Sequence, residues 1–151
     1  MHKILWIDQS SKKLWFAYFE DDLIESGHDE ITNSDFYTSF KSMLEWTGEK
    51  LDQYKPEIVF TEDPMSLARV NPAIARKLMF TLSAMVYACW NRDIQLEILA
   101  PSQIKKVFTG KWNAKKDVVR AMVLEKYNID TKSEDEADAI AIWYTWTKII
   151  E

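Results

Sequence analysis

The chain of 151 residues has few cysteines, glycines and histidines. Its one cysteine, Cys89, cannot form an internal disulfide, which suits a reducing compartment. None of its three glycines stands in a phosphate-cradling pattern, because Gly110 and Lys111 lack the upstream glycine and the following Ser or Thr of a P-loop. His2 and His28 are isolated, without the spacing of metal ligands. These absences argue against a disulfide scaffold, a P-loop nucleotide site and a histidine-based site.

Long apolar runs are also missing. No stretch approaches the ~18 residues needed to span a membrane, and the first residues show no basic-then-apolar signal segment. Apolar residues make up 47% and charged residues 28% of the chain, which is typical of a globular protein. No repeat, low-complexity tract or Gly/Ser linker divides the sequence. We therefore expect one domain over residues 1–151, with no membrane segment.

Charge is distributed unevenly along the chain. The formal net charge of −5 by itself argues against a polyanion partner. Residues 101–127, however, carry seven Lys or Arg and two acids, whereas the rest of the chain carries 12 basic and 22 acidic residues. Such a basic block indicates a polyanion partner, and the alternative is a solvated helix face. Trp112, inside the block beside Lys111, could stack on a nucleobase or simply be exposed.

Hydrophobic periodicity predicts an α/β arrangement of strands and helices. The predicted strands are 3–8, 13–19, 22–26, 57–61 and 94–99. The predicted helices are 35–54, 71–91, 101–108, 115–127 and 134–149. The first three strands are joined by turns and should be antiparallel, whereas the strands that follow helices should be parallel. The implied fold is a central mixed five-stranded sheet flanked by helices.

Local signals refine some of these elements. Gly27 is expected to end the third strand, and residues 9–12 are expected to form the turn between the first two. Asn33 or Ser34 could cap the first helix. Its inner face is predicted from four apolar residues at helical spacing: Phe36, Phe40, Leu44 and Leu51.

The helix predicted over residues 71–91 has a clear start and too much apolar surface. Asn71 is a plausible N-cap, and Pro72 stands at the first helical position, where its missing N–H does no harm. Apolar residues lie on more than one of its faces, and they include Cys89. Such a helix is either fully buried or shared with a second subunit.

Acidic residues stand where two of the buried strands end. Asp8 follows the apolar run of the first strand, and Glu62 follows that of the fourth. In parallel units, functional groups collect at the carboxyl ends of strands. Taken singly, Asp8 could merely begin a turn and Glu62 could be a surface residue.

A second acidic group stands at the start of the last predicted helix. Asp135 and Asp138 are three residues apart and share a helical face, whereas Glu134 and Glu136 are expected to point elsewhere. An acid-rich first turn also suits the dipole of any helix, which is the alternative explanation.

Together, these three places would bring carboxylates to one end of one sheet. Carboxylates without a cation repel one another. An oxygen-only site suits Mg²⁺ or Mn²⁺ rather than zinc. Two such ions about 4 Å apart can clamp the attacking and leaving oxygens of a phosphodiester.

Five segments, in order along the chain, resemble the RuvC family of Holliday-junction resolvases, within the ribonuclease H-like nucleases. The segments are ILWIDQSS at 4–11, IVFTED at 58–63, LAPSQIKKVFTG at 99–110, AKKDVV at 114–119 and DEADAIAI at 135–142. Single motifs are weak, but the ordered set is fairly specific.

The resemblance implies a homodimer, built through helix 71–91, that resolves four-way DNA junctions by paired nicks in the cytoplasm of a bacterium or a phage-infected cell. It implies 5′-phosphate and 3′-hydroxyl ends, and two Mg²⁺ ions per site that Mn²⁺ can replace. The implied catalytic and metal-binding residues are Asp8, Glu62, Asp135 and Asp138. The implied DNA-binding residues are Lys105 and Lys116, with Lys106 and Lys115 as neighbours.

Two departures from the family pattern leave alternatives open. Asp8 is followed by Gln9 and Ser10 instead of proline and glycine. Met65 stands where the family has an aromatic wedge, in a longer loop in which Arg69 could contact phosphate. A broader nuclease for forks and flaps, or a non-catalytic nucleic-acid-binding module, is therefore also compatible with the sequence. Whether a helicase partner is needed stays open.

Overall fold

The computed structural model describes residues 2–10, 13–31 and 35–131, and beyond them residues 134, 137, 138, 140–142 and 144. Five strands form one mixed sheet in the order β3-β2-β1-β4-β5. Their bounds are β1 Lys3–Gln9, β2 Lys13–Glu20, β3 Asp22–Glu30, β4 Ile58–Glu62 and β5 Gln95–Leu99. The first three strands are antiparallel, and β4 and β5 run parallel to β1. The predicted sheet is confirmed.

Four helices have complete bounds. They are α1 Phe36–Tyr54, α2 Pro72–Trp90, α3 Pro101–Thr109 and α4 Lys116–Tyr127. A turn of 3₁₀ helix, Pro64–Leu67, follows β4. The seven described residues between 134 and 144 are all helical and form the last helical segment, whereas residues 145–149 of the predicted helix lie outside the described residues. Among the described helices, none is long and apolar enough to cross a membrane.

The sheet has a helical layer on each face. Side chains alternate along β1, so that Ile4 and Trp6 pack with α3, α4 and the last helical segment. Leu5 and Ile7 point the other way and pack with α1 and α2. Cys89 of α2 is buried in this second core. A fully buried Leu or Ile side chain stabilises the fold by about 1.5–3 kcal/mol, so the two cores fix which face each residue of β1 presents.

The third strand is longer than predicted. It continues through Gly27 to Glu30, and Gly27 pairs with Phe16 of β2. A Cβ atom on Gly27 would lie 3.1 Å from Cε1 of the Phe16 ring. The glycine therefore makes room for an aromatic ring on the neighbouring strand, and the prediction that it ends the strand is wrong.

Helix α1 is capped by Asp35. Its Oδ1 accepts a hydrogen bond from the backbone N–H of Thr38 at 2.8 Å. The predicted caps Asn33 and Ser34 lie outside the described residues. Asp35 thus supplies the capping oxygen expected at such a helix start.

The inner face of α1 is rotated from the predicted one. Leu51 is buried, but Phe36 is 53% exposed, and Phe40 and Leu44 are only partly buried. The buried residues of α1 also include three small or polar ones: Ser39, Thr47 and Gly48. A prediction based on the spacing of large apolar residues does not reveal that such positions are buried.

Helix α2 begins as predicted. Oδ1 of Asn71 accepts a hydrogen bond from the backbone N–H of Ile74 at 3.1 Å, and Pro72 is the first helical residue. Its contacts run along α1 on one side and the sheet on another. One side of the helix is therefore buried against α1 and the sheet.

Candidate active site

Asp8 and Glu62 are brought together by the register of two neighbouring parallel strands. The last paired residues of β1 and β4 are Ile7 and Thr61, so Asp8 and Glu62 occupy the next position on each strand. Adjacent strands lie ~4.8 Å apart, and alternate side chains share a face. Both carboxylates therefore point to the side of the sheet covered by α3, α4 and the last helical segment.

These two acids line a pocket, here called the acidic pocket, of about 120 Å³. Its floor comes from the strand ends and its walls from the three surrounding helices. It is lined by Asp8, Glu62, Pro101, Ile104, Lys105, Lys116, Val119, Asp138 and Ala141. Three carboxylates from three separate elements thus meet two lysines, with apolar side chains between them. A volume of this size holds several water-sized groups.

Asp138 carries an ion pair across the acidic pocket. Nζ of Lys116 lies 3.8 Å from Oδ2 of Asp138, whose side chain is 20% exposed. The same Nζ lies 3.8 Å from Oε2 of Glu134. Glu134 and Asp138 are four residues apart and so share a helical face. Glu134 thus shares Lys116 with Asp138 but is not among the residues that line the acidic pocket, and Asp135 lies outside the described residues.

The donor chemistry of the acidic pocket fits a hard divalent cation. The described residues that line it offer carboxylate oxygens and neither imidazole nor thiolate. Across the described part of the chain, no three His, Cys, Asp or Glu side chains lie close enough together to surround one ion. The described carboxylates thus line a common space, with the ammonium group of Lys116 against one of them.

The four predicted lysines divide into two pairs. Lys105 on α3 and Lys116 on α4 line the acidic pocket. Lys106 and Lys115 are exposed neighbours in the chain and are not among the lining residues. The basic block therefore borders the acids at two points and extends outward over the surface.

Met65 and Arg69 lie outside the acidic pocket. Met65 is 54% exposed on the 3₁₀ turn, and Arg69 is exposed just after it. The turn is held by Asp63, whose Oδ1 accepts a hydrogen bond from the backbone N–H of Met65 at 2.9 Å. Asp63 therefore has a structural role, although it directly follows Glu62.

Gln9 is a residue whose importance the sequence did not reveal. It is the last residue of β1 and pairs with Leu14, so it is not part of the predicted turn. Its side chain is buried, and its Nε2 donates a hydrogen bond to the backbone oxygen of Leu78 at 2.8 Å. Its Oε1 accepts one from Oγ1 of Thr81 at 2.6 Å. Gln9, the residue next to Asp8, is thus hydrogen-bonded to α2. No sequence signal links it to these partners, which lie 69 and 72 residues further along the chain.

The outer side of α2 exposes an apolar strip. Its members recur at helical spacing, and their exposed fractions range from 37% to 73%. The strip consists of Met79, Phe80, Val86, Tyr87 and Trp90. An apolar strip of this kind on one helix is typical of a protein–protein contact.

Comparisons with known proteins agree with this arrangement. The family model described as "Crossover junction endodeoxyribonuclease RuvC" matches residues 7–146. A curated protein of the same description from Hydrogenovibrio crunogenus is 28% identical over 147 residues, which cover 93% of this chain and 84% of that protein.

Solved structures share the fold. The RuvC structure from Thermus thermophilus superposes with a TM-score of 0.79 at 19% identity, covering 97% of this chain and 96% of that one. A structure described as T. thermophilus RuvC in complex with Holliday junction substrate gives a TM-score of 0.80 at 19% identity, covering 96% and 92%. At this identity the likeness concerns the fold, and it confirms the predicted ribonuclease H-like architecture.

Proposed function

The chain belongs to the RuvC family of crossover junction endodeoxyribonucleases, and on that premise we propose that it resolves four-way DNA junctions by paired, metal-dependent nicks. One observation carries the proposal: Asp8, Glu62 and Asp138, from three separate elements, line one pocket together with Lys105 and Lys116. A purely structural role does not explain why carboxylates from three elements share one pocket, because their negative charges repel one another there.

The carboxylates are proposed to hold metal ions. Asp8, Glu62 and Asp138, together with Asp135, would bind two Mg²⁺ ions, and Mn²⁺ would substitute because it shares the preference for oxygen ligands. When bound, the ions supply an activated water and stabilise charge on the leaving oxygen. The strand ends contribute rigid positions for Asp8 and Glu62, and Ile104, Val119 and Ala141 provide apolar walls.

The products follow from in-line displacement at phosphorus. A bond forms between a water oxygen and the phosphorus, and the bond from the phosphorus to the 3′-oxygen breaks. The released strand end is a 3′-hydroxyl, and the other end keeps a 5′-phosphate. Lys116 and Lys105 would place the phosphodiester over the carboxylates, because their ammonium groups attract its charge without reading base sequence.

We further propose a homodimer that buries the apolar strip of α2. Paired nicks across a four-way junction need two active sites, and a two-fold dimer supplies them symmetrically. Ring contacts already order the strip's surroundings, with centroids of Phe36 and Phe80 5.2 Å apart and those of Tyr87 and Trp90 5.9 Å apart. Rigid aromatic side chains of this kind are the usual anchors of interfaces.

Two further expectations, on the extent of the domain and on the cellular compartment, remain proposals. Residues 1–151 would act as one nuclease domain, because both sheet faces contribute to cores that a single sheet joins. Because the substrate would be cellular DNA, the proposed compartment is the cytoplasm of a bacterium or of a phage-infected cell.

A second candidate is a broader nuclease for forks and flaps. It is favoured by Met65, an exposed and flexible side chain on the turn that follows Glu62. Met can pack against a base, but less rigidly than an aromatic ring, so selection for a four-way centre would be looser. Arg69, exposed beside it, would add a phosphate contact of no sequence preference.

The test is a cleavage assay on end-labelled DNA. A four-way junction, a three-way fork, a flap and a linear duplex are each incubated with Mg²⁺, Mn²⁺ or EDTA. Symmetric nicks in the four-way junction alone, present with either metal and absent in EDTA, are the expected result. Equal cutting of forks and flaps would replace it with the broader nuclease. Binding without cleavage of any substrate would overturn both in favour of a non-catalytic module.

A further inference from the structure

Trp112 is an exposed aromatic residue with no place in the proposed chemistry so far. Its exposed fraction is 66%, whereas Trp6 and Trp46 are buried. Trp90 is also exposed, but it belongs to the apolar strip of α2. Burying an indole removes 150–250 Å² from water, so leaving one exposed forgoes a large stabilisation. The side of the molecule that carries α3 and α4 thus has an indole ring exposed to solvent.

The loop that carries Trp112 is fixed at both ends. Gly110 ends α3 in the left-handed conformation with φ of 79°, and its N–H donates to the backbone oxygen of Lys106 at 2.9 Å. The N–H of Lys111 donates to Oγ1 of Thr109 at 3.1 Å. On the other side, the N–H of Ala114 donates to the oxygen of Lys111 at 3.2 Å, and Ala114 is buried.

This anchoring lowers the conformational entropy that is lost when a ligand binds to the indole ring. A residue on a backbone that is already ordered loses little further entropy when a ligand packs against it. Trp112 is therefore presented at the surface by a turn, rather than left on a loose segment.

The charge around Trp112 selects the kind of ligand. Residues 105–117 contain five lysines and one acid, Asp117. An apolar protein partner would have to desolvate these ammonium groups, whereas a polyanion is attracted by them. Aromatic rings interleaved with cations are the arrangement that binds unpaired nucleic-acid strands by stacking. The ligand class that fits is a nucleobase on a phosphodiester strand.

The position of the ring relates it to the acidic pocket. Trp112 is four residues before Lys116, which lines that pocket. Four residues span at most ~14 Å, which is about four base steps of a DNA strand at 3.4 Å each. A strand with a phosphodiester at the carboxylates therefore brings bases within reach of the indole. Inside a duplex both faces of a base are covered, so only an unstacked base offers a free face.

We propose that Trp112 is a stacking platform for a nucleobase that is unstacked where strands exchange in branched DNA. This inference rests on the proposed function and deepens it, because it adds a contact that recognises the branch point. Lys111 and Lys115 would hold the backbone of the same strand on either side of the ring.

The experiment compares Trp112→Ala, Trp112→Phe and a matched control, Val107→Ala. Val107 is 40% exposed on α3 within the same basic segment but has no ring. Binding is measured in EDTA, by anisotropy, to a four-way junction and to a linear duplex of equal length. Junctions with 2-aminopurine at single positions around the centre report stacking through quenching of its fluorescence.

The expected result is a loss confined to one variant and one substrate. Trp112→Ala should raise the Kd for the junction about 5- to 150-fold and leave the duplex Kd unchanged. It should also abolish the quenching that wild type produces at one or two central positions. Trp112→Phe should keep most of the affinity, and Val107→Ala all of it.

Other results separate this inference from the function on which it rests. If wild type binds and cuts the junction while Trp112→Ala binds it equally well, the stacking platform is overturned and the nuclease stands. An equal loss on junction and duplex would likewise overturn it, because that indicates a general backbone contact. If wild type binds no junction at all, both proposals fail.

Discussion

Thr81 and Gln9 share a buried hydrogen bond, in which Oγ1 of Thr81 donates to Oε1 of Gln9 across 2.6 Å. The amide of Gln9 donates in turn to the backbone oxygen of Leu78 at 2.8 Å. The end of β1 is thereby joined to α2 one residue after Asp8. The strand end holds its direction through these two bonds to α2.

The first prediction concerns the hydrogen bonds by which Gln9 joins β1 to α2. Gln9→Ala should lower the free energy of unfolding by about 1–3 kcal/mol, because the Thr81 hydroxyl and a backbone oxygen lose a buried partner. Urea unfolding measures the change. Ser83→Ala, on the exposed side of the same helix, should change stability by less than about 0.5 kcal/mol. An equal effect of both substitutions would contradict a special role for Gln9.

The second prediction separates cleavage from binding. Asp8→Asn should lower the junction cleavage rate by at least about 100-fold, a loss larger than that usual for residues one shell further from a metal. Junction affinity should stay the same or rise, because a negative charge facing the DNA has gone. Asp63→Asn is the matched control, since its amide oxygen can still cap the 3₁₀ turn. Normal nicking by Asp8→Asn would remove Asp8 from the metal site.

The third prediction uses stability as a readout of metal binding. Mg²⁺ at 100 times its Kd should stabilise the wild type by about 2.7 kcal/mol and raise its Tm by several degrees. Asp8→Asn and Asp138→Asn should lose most of that rise. Differential scanning fluorimetry at constant ionic strength checks this, with K⁺ as the control cation. A full Mg²⁺ shift in both variants would mean that the ion binds elsewhere.

The fourth prediction concerns the lysines of the acidic pocket. Changing Lys105 and Lys116 to Ala should weaken junction binding and flatten the plot of log K against log salt by about 1.8, at about 0.9 per phosphate contact. Titration by anisotropy at several salt concentrations measures the slope. The matched pair is Lys41→Ala with Lys55→Ala, from the helix on the other face of the sheet and the residue that follows it. An unchanged slope in the first pair would take these lysines out of the DNA path.

The fifth prediction tests the dimer. Tyr87→Glu should shift the chain to a monomer, because an unpaired buried charge costs about 3–5 kcal/mol. Sedimentation velocity measures the state. Ile24→Glu is the matched control, since Ile24 is 58% exposed on β3, away from α2. A wild type that is monomeric at high concentration, or a Tyr87→Glu variant that stays dimeric, would refute the interface.

Residues whose position depends on their own strand or helix could be predicted. Asp8 and Glu62 follow from the rule that parallel strands end at one edge, and the register of β1 and β4 places them side by side. Asn71 and Pro72 mark the start of α2 through local chemistry alone. In these cases the signal lies within a few residues of the position it describes.

Residues whose role depends on a distant partner could not be predicted. Gly27 looks like a strand end until the ring of Phe16 is placed beside it. Glu134 gives no local sign of its ion pair with Lys116 of α4, which also lies beside Asp138. In both cases tertiary packing brings the partner close, and the local sequence does not indicate which residue that partner is.

Cys89 has a practical consequence for measuring this protein. It is the chain's one cysteine, and burial raises the pKa of its thiol to about 12. At neutral pH almost none of it is thiolate, the form that reacts with alkylating reagents. A cysteine introduced at Val70, which is 85% exposed just after the 3₁₀ turn, would therefore take up a maleimide dye alone. Because Cys89 does not react under these conditions, distances between two protomers on a DNA junction can be followed without replacing the native cysteine.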